Sequence, residues 1–173
     1  MGKTNSEGFP MTKQETYDYL RAHGVAFEIT EHPAVYNMEE CAALNLPYPE
    51  DDAKNLFVRD DKKQHYYLIT VRADKRVDLK QFRRDHGTRP LSFASPEELL
   101  AHLKLTPGSV TPLGLLQDEE RAVHFYLDEG FLLPPGRIGV HPNDNTATIW
   151  LPAEELLKLL REHGTECETV KLP

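Results

Sequence analysis

The stretch AKNLFVRDDKKQHYYLITV, residues 53–71, constrains the fold more than any other part of this chain. Two apolar runs, LFV and YYLITV, flank a charged DDKK turn, which predicts two antiparallel strands and their connection. Lys54 and Asn55 stand where the first of these strands begins. Because strands usually carry their charges on the solvated face, Lys54 is open to two interpretations: an ordinary edge lysine, or a side chain that points into a site.

Helices and strands are interleaved around this hairpin. Thr12 and Glu15 form a capping box before a helix that ends at Gly24. Further helices are predicted over residues 37–45, 79–87, 95–103 and 152–164, and further strands over 26–32, 122–128, 137–142, 146–151 and 166–172. Since hairpins rather than crossovers dominate the middle of the chain, this order favours an α+β fold or a mixed sheet over a doubly wound one.

The length of 173 residues is sufficient for one domain with a sizeable core and short for two. We expect a flexible leader over residues 1–11 and a single domain over 12–173. No apolar run is long enough to span a bilayer and the N-terminus lacks a signal-peptide pattern, so we expect a cytoplasmic protein without a membrane partner. In that reducing compartment Cys41 and Cys167 are expected to be free thiols.

The formal net charge of −8 argues against a protein that coats nucleic acid nonspecifically. Residues 72–89 nevertheless form a basic stretch, with Arg72, Lys75, Arg76, Lys80, Arg83, Arg84 and Arg89 against only three aspartates. Such a stretch can contact a phosphate backbone, and it is equally typical of a solvated helical face. The residues alone leave both interpretations open.

Several familiar catalytic patterns are missing from the sequence. There is no GxxxxGK[ST] or GxGxxG loop, no HExxH or paired-ligand spacing among the eight histidines, and no GxSxG elbow. We therefore expect neither a metal nor another cofactor, and no obvious covalent nucleophile.

Three loops at strand ends remain as candidates for a site, since loops held by a rigid sheet commonly carry function. They are Lys54-Asn55, the glycine loop of residues 108–112 and the histidine loop of residues 141–146. Gly108 permits unusual backbone angles and Pro112 stiffens the exit, so the intervening N–H groups can form a carboxyl or oxyanion cradle. Ser109 and Thr111 add hydroxyls. Taken separately, the glycine loop also fits a plain turn, and His141 also fits a turn residue bonded to Asn143 or Thr146.

Together these features resemble a known family. The segments "KNLFVRD…YYLITV", "GSVTPLGLL" and "VHPNDNTATIWL", with "EHPAVYNMEE" before them, are similar to the YbaK/ProX family of aminoacyl-tRNA editing domains. The resemblance spans residues 12–171. The KNLF form resembles the free-standing ProX type, which is similar to the insertion editing domain of bacterial prolyl-tRNA synthetase.

The resemblance implies a single α+β domain with a central mixed, mostly antiparallel sheet flanked by helices. It implies a trans-editing hydrolase that deacylates mischarged tRNA(Pro), foremost Ala-tRNA(Pro), by water attack on the ester. The expected partners are the acceptor end of the tRNA and a prolyl-tRNA synthetase, and a monomer is compatible with the sequence. Carried over by motif, the catalytic residues are Lys54, Gly108 and His141, and the substrate-binding residues are Asn55, Ser109, Val110, Thr111, Pro112 and Asn143.

An aminoacyl ester is already activated, so positioned water can suffice without a protein nucleophile. In this hypothesis backbone N–H groups of the glycine loop hold the carbonyl, Lys54 faces the nucleotide, and His141 with Asn143 orients the substrate or the water. The candidates for lining the pocket are Tyr36, Met38, Leu46 and Phe57. Three alternatives stay open: a Cys-tRNA(Pro) deacylase, a non-catalytic module that senses aminoacyl-tRNA, and a structural interaction domain.

Overall fold

The computed structural model describes residues 10–37, 39–40 and 43–172. Its helices are α1 (Lys13–Ala22), α2 (Leu79–His86), α3 (Pro96–Leu103) and α4 (Ala153–His163). Its strands are β1 (Glu28–Glu31), β2 (Ala53–Asp60), β3 (Tyr66–Arg72), β4 (Leu91–Phe93), β5 (Val123–Asp128), β6 (Arg137–Val140), β7 (Ala147–Pro152) and β8 (Cys167–Val170).

The predicted hairpin of residues 53–71 forms the middle of a five-stranded sheet, in the order β4-β2-β3-β5-β8. Lys54 lies opposite Val71 in the β2–β3 register. A second sheet has the order β1-β7-β6, and a parallel bridge from Asp52 to Gly139 connects the two. Among the described strands the β3–β5 and β5–β8 pairs are parallel and the other four pairs are antiparallel. The predicted α+β fold with a mixed, mostly antiparallel sheet is confirmed, although this sheet is divided in two.

Apolar side chains cover both faces of the larger sheet. On one face Phe82 of α2 packs with Val58, Ile69 and Tyr126. The other face belongs to the main core, which takes in buried leucines from α1, α3 and α4 and the inward side chains of both sheets. The helices therefore flank the sheets as expected, and the two sheets share one core.

Local capping signals account for where the helices begin and end. The capping box of Thr12 with Glu15 is present at α1, and a second box of Ser95 with Glu98 starts α3. Asp78 caps α2, and Gly87 ends that helix with φ +66°, a left-handed conformation that favours glycine.

Part of the predicted helix over residues 37–45 lies outside the described residues, including Cys41 and Met38. The side chain of Asn37 accepts a hydrogen bond from the Glu40 N–H at 2.8 Å, as a helix cap does. Most of the predicted leader, residues 1–9, is also outside the described part. Cys167 is a free, partly buried thiol, and burial raises its pKa to about 11.

Within the described ranges, no helix combines the length and apolar character needed to cross a membrane.

Candidate functional site

A cleft of about 310 Å³ opens where the Asp52–Gly139 bridge joins the two sheets. It receives residues from all three loops proposed from the sequence. Five of the nine predicted site residues line it: Lys54, Asn55, Gly108, Val110 and His141. The other four, Ser109, Thr111, Pro112 and Asn143, are not among its lining residues.

Lys54 lies at the start of β2, is half-buried and lines the cleft. Its ammonium donates a hydrogen bond to the backbone carbonyl of Lys75. The Lys75 ammonium is itself paired with the buried carboxylate of Asp128, 2.9 Å from Oδ2, and donates to the Leu172 carbonyl at 3.0 Å. The position of the Lys54 charge is therefore set by a second, anchored lysine.

Asn55 connects β2 to the glycine loop. Its Oδ1 accepts a hydrogen bond from the Thr70 hydroxyl at 2.6 Å, and its Nδ2 donates to the Val110 carbonyl at 3.2 Å. With the Val110 carbonyl held in this way, the amide of Asn55 fixes the glycine loop against the sheet. Within the described part of the chain, the N–H of Val110 has no acceptor, so it remains able to donate to a ligand.

The predicted reason for glycine at position 108 is wrong. Gly108 lies in a short 3-10 turn (Pro107–Ser109) and does not have a positive φ. Instead, a Cβ at this position would lie 2.7 Å from Cδ1 of the Tyr36 ring and 3.0 Å from Nδ2 of Asn145. Glycine is needed here because a ring and an amide approach the backbone closely.

The buried Thr111 connects the glycine loop to the histidine loop. Its hydroxyl donates to the backbone carbonyl of His141 at 2.6 Å and accepts a hydrogen bond from the Leu113 N–H at 3.3 Å. Pro112, also buried, begins a second 3-10 segment (Pro112–Gln117). These two residues support the cleft from behind, while the Ser109 N–H closes the turn onto the Thr106 carbonyl at 2.9 Å.

His141 presents a neutral imidazole to the cleft. Its Nδ1 is 2.9 Å from the carbonyl of Ala147, and because a carbonyl only accepts, Nδ1 carries the proton and Nε2 is left with a lone pair. Burial lowers the pKa of His141 below its ordinary value, and the Ala147 hydrogen bond opposes this only in part. The partner is thus neither Asn143 nor Thr146, the two turn contacts considered from the sequence.

A second histidine, His32, lies in the same cleft and was not singled out from the sequence as a site residue. Its Nδ1 donates to the Pro33 carbonyl at 2.8 Å, and its Nε2 accepts from the Thr148 hydroxyl at 2.9 Å. The rings of His32 and His141 meet edge to face with centroids 6.0 Å apart. The sequence signal that could have identified His32 is its place in the segment "EHPAVYNMEE".

The histidine loop carries two asparagines with different surroundings. Asn143 has φ +63°, and its Nδ2 donates to the Thr16 hydroxyl of α1 at 3.0 Å, outside the cleft. Asn145 is buried beneath Gly108, and its Nδ2 donates to the Val35 carbonyl at 3.3 Å. The sequence does not distinguish the two, since they are separated by one residue in the same turn.

Only some of the residues predicted to line the pocket do so. Tyr36 and Leu46 line the cleft, whereas Phe57 is buried in the main core and stacks on Tyr66. Met38 lies outside the described residues. Among the residues that the structure describes, no three or more His, Cys, Asp or Glu side chains are grouped so as to hold a metal ion.

Comparisons with known proteins identify the family of this chain. The model of the aminoacyl-tRNA editing domain family matches residues 32–159, which include every residue of the cleft described above. The chain belongs to the aminoacyl-tRNA editing domain family. The prolyl-tRNA editing protein ProX of Acetoanaerobium sticklandii is 36% identical over 160 residues, covering 92% of this chain and 97% of the relative.

A second relative and a solved structure extend the match beyond that protein. The prolyl-tRNA synthetase associated domain-containing protein 1 of Bos taurus is 34% identical over 148 residues, 84% of this chain and 86% of the relative. The crystal structure of a candidate trans-editing enzyme for prolyl tRNA synthetase superposes with a TM-score of 0.69 at 25% identity, over 93% of this chain and 97% of the other. The resemblance inferred from the sequence is confirmed, and the editing-domain family places the chain among aminoacyl-tRNA deacylases.

Proposed function

We propose that this editing domain hydrolyses mischarged tRNA(Pro), with Ala-tRNA(Pro) as its principal substrate. The observation that carries the proposal is that Lys54, His141 and Val110 line one cleft, and that no described residue accepts a hydrogen bond from the Val110 N–H. The names of the relatives point to the proline system, and a prolyl-tRNA synthetase is the partner that this implies.

Part of the cleft lining favours a small amino acid. Ala53, Ala73, Val110 and Val140 contribute short apolar side chains there. A synthetase pocket that accepts proline discriminates against a smaller side chain by only about 1–3 kcal/mol. A second site that admits alanine and excludes proline supplies the missing discrimination.

The reaction needs no protein nucleophile. The water oxygen bonds to the ester carbonyl carbon, the bond from that carbon to the ribose oxygen breaks, and a proton from the water ends on the ribose oxygen. The N–H of Val110 holds the carbonyl oxygen as charge develops on it. His141 accepts a hydrogen bond from the water at Nε2 because its Nδ1 proton is committed to Ala147.

Lys54 serves the nucleotide side of the substrate in this proposal. An ammonium close to the substrate's own α-ammonium would be repelled, whereas the terminal ribose and phosphate attract it. One of its hydrogens is held by the Lys75 carbonyl, which leaves two for the substrate.

The basic stretch of residues 72–89 serves two purposes. Arg72 contacts Asp51 at 3.6 Å and Lys75 pairs with Asp128, so both act within the fold. Arg83 and Arg84 lie exposed on α2 and are proposed to contact the acceptor stem. Replacing both with glutamine should weaken tRNA binding and reduce its salt dependence, and unchanged values of both would contradict this contact.

The decisive experiment measures deacylation of alanyl-, cysteinyl- and prolyl-tRNA(Pro) by the wild type, Lys54→Ala and Lys62→Ala. Lys62 lies exposed in the turn of the same hairpin, so it controls for loss of a lysine without loss of the site. The proposal expects rapid loss of the alanyl ester by the wild type and Lys62→Ala only. Preferential loss of the cysteinyl ester would identify the sister activity, and binding without hydrolysis would identify a sensing module.

A further inference from the structure

Tyr36 combines an exposed ring with a fixed backbone. Its side chain is 72% exposed, the highest value among the large hydrophobic residues that the structure describes. The Tyr36 N–H nevertheless donates to Glu40 Oε1 at 2.8 Å, and the preceding carbonyl of Val35 accepts from Asn145 at 3.3 Å. The backbone that carries the ring is therefore held at both the Tyr36 N–H and the preceding carbonyl, while the ring itself stays open to solvent.

The position of this ring sets it apart from the other exposed apolar side chains. Ile29, Phe93, Leu100 and Leu133 are also exposed, but none of them lines the cleft. Tyr36 lies at the cleft, so close to Gly108 that even a methyl group there would collide with the ring. The glycine thus allows an aromatic ring to stand beside the loop that is proposed to hold the ester carbonyl.

We propose that Tyr36 is a stacking platform for the 3′-terminal nucleobase of the tRNA, an inference that rests on the function proposed above. The aminoacyl ester and the terminal base are carried by the same ribose. If the carbonyl binds at Val110, the base lies within reach of the neighbouring residues at the rim. Aromatic side chains commonly stack on unpaired bases, and every base offers a π-face.

Stacking also suits the charge of this protein. With a net charge of −8, the chain as a whole repels a polyanion, so contacts that do not depend on phosphate attraction carry more of the affinity. A tyrosine ring contributes such a contact without adding charge. Lys54 in the same cleft supplies a local positive charge for the adjoining ribose or phosphate.

The test uses an RNA acceptor hairpin that ends in 2-aminopurine, a fluorescent base quenched by stacking, and carries alanine through a non-hydrolysable amide. Wild type and Tyr36→Phe should quench the fluorescence on binding. Tyr36→Ala should bind without quenching and with an affinity about 5–150-fold weaker, which corresponds to the ~1–3 kcal/mol of one stacked base. Phe93→Ala removes an equally large exposed ring away from the cleft and should behave as the wild type.

A second experiment tests whether Tyr36 and the terminal base act through the same contact. Alanyl-tRNA(Pro) with an abasic 3′-terminal nucleotide should be hydrolysed with a raised KM by the wild type, and Tyr36→Ala should add no further loss on that substrate. Full additivity of the two changes would overturn the platform, as would quenching retained in Tyr36→Ala or absent from the wild type. Quenching that depends on Tyr36, without hydrolysis of any ester, would refute the deacylase proposal and leave the platform standing.

Discussion

The Lys54 ammonium donates a hydrogen bond to the backbone carbonyl of Lys75, so one lysine holds the other through its main chain. Asp128, fully buried at the end of β5, binds the Lys75 ammonium through both carboxylate oxygens, at 3.1 and 2.9 Å. Asp128 also accepts hydrogen bonds from the backbone N–H groups of Arg72 and Gly130. A carboxylate outside the cleft thereby positions the charge inside it.

Asp128→Asn should lower both stability and activity. Removing one partner of a buried ion pair leaves an uncompensated charge and costs roughly 3–5 kcal/mol. Urea denaturation measures this cost, and deacylation by the remaining folded protein should still be reduced because the carbonyl that holds Lys54 has moved.

Asp61→Asn is the matched control for that variant. Asp61 pairs with Arg89 at 2.7 Å, but both side chains are largely exposed, so the change should have little effect on stability and leave activity intact. Equal stability losses in the two variants, or full activity in Asp128→Asn, would contradict the positioning role.

The neutral His141 predicts a specific pH dependence of activity. Since burial lowers its pKa, the acidic limb of the rate profile should lie below pH 6.5, the ordinary value. His141→Asn should reduce the rate by about 10²–10⁴-fold, the usual contribution of a group that accepts a proton or orients the water, and should remove this limb. A limb retained in His141→Asn would assign the titration to another group.

The same shift has a consequence for stability. Below pH 6.5 the unfolded chain protonates at this histidine before the folded protein does, so the free energy of unfolding should fall as the pH falls from 6.5 towards the lowered pKa. The difference between wild type and His141→Asn in urea denaturation at pH 7.5 and 5.5 measures it. His65→Asn, at an exposed turn position, is the matched control for replacing a histidine.

The sequence predicted those parts of the fold that depend on neighbouring residues. The capping boxes at Thr12 and Ser95, the Asp78 cap and the hairpin of residues 53–71 are all present, because each is decided within a few residues. The division into two sheets was not predictable in this way. It depends on pairings such as β1 with β7, which join Glu28 to Trp150 across most of the chain.

The sequence also predicted only part of the candidate site. The sequence brought Lys54, Gly108 and His141 together through a family resemblance, and these three do line one cleft. It could not assign the two asparagines of the histidine loop, of which Asn143, with a positive φ, donates to Thr16 of α1 and Asn145 lies beneath Gly108. Such a backbone choice is set by tertiary contacts that local composition does not specify.

The Asn143–Thr16 hydrogen bond predicts that both residues act through the position of the histidine loop. Thr16→Val removes the hydroxyl at nearly constant volume and leaves Nδ2 of the half-buried Asn143 with only the Met11 sulfur, 3.7 Å away, as an acceptor, which should cost about 1–3 kcal/mol. A double-mutant cycle with Asn143→Ala, measured by denaturation and by deacylation, should be strongly non-additive. If Asn143 instead binds substrate, Asn143→Ala should raise KM while Thr16→Val leaves it unchanged.

Glu98 predicts a stability change under strongly acidic conditions. The Ser95 N–H and the Tyr66 hydroxyl donate to its carboxylate at 2.8 and 2.6 Å, and these hydrogen bonds, the Ser95 N–H first, lower its pKa to about 2. Because the folded pKa lies below the ordinary 4.5, the stabilisation is complete above pH 4.5 and is lost as the pH falls through about 2.

Glu98→Gln should therefore cost about 1.5–3 kcal/mol at pH 7, the range for hydrogen bonds to a charged group, and progressively less between pH 4.5 and 2. Urea denaturation at pH 7, 4 and 2.5 measures the trend. The exposed neighbour Glu97→Gln is the matched control for replacing a glutamate at this helix start. A constant cost for Glu98→Gln at all three pH values would show that the charge of Glu98 is not what stabilises this helix start.

Gly108→Ala should impair activity without unfolding the protein. The backbone of Gly108 does not occupy the left-handed region, so alanine can adopt its conformation. Alanine also lowers the conformational entropy of the unfolded chain, which favours the folded state. The new methyl group would nevertheless press on the exposed Tyr36 ring 2.7 Å away, and the ring must move. We expect unfolding free energy within about 1 kcal/mol of the wild type and a raised KM for the aminoacyl-tRNA.

Gly114→Ala, six residues further along, distinguishes this effect from general crowding. Its methyl group would lie 2.5 Å from Cδ1 of Leu105, a buried core residue that cannot turn away into solvent, so overpacking should cost about 1–3 kcal/mol. Gly114→Ala should therefore lower the free energy of unfolding, whereas Gly108→Ala should mainly raise KM. A large loss of stability in Gly108→Ala would show that the Tyr36 ring, or the buried Asn145 amide 3.0 Å from the new methyl group, cannot move away.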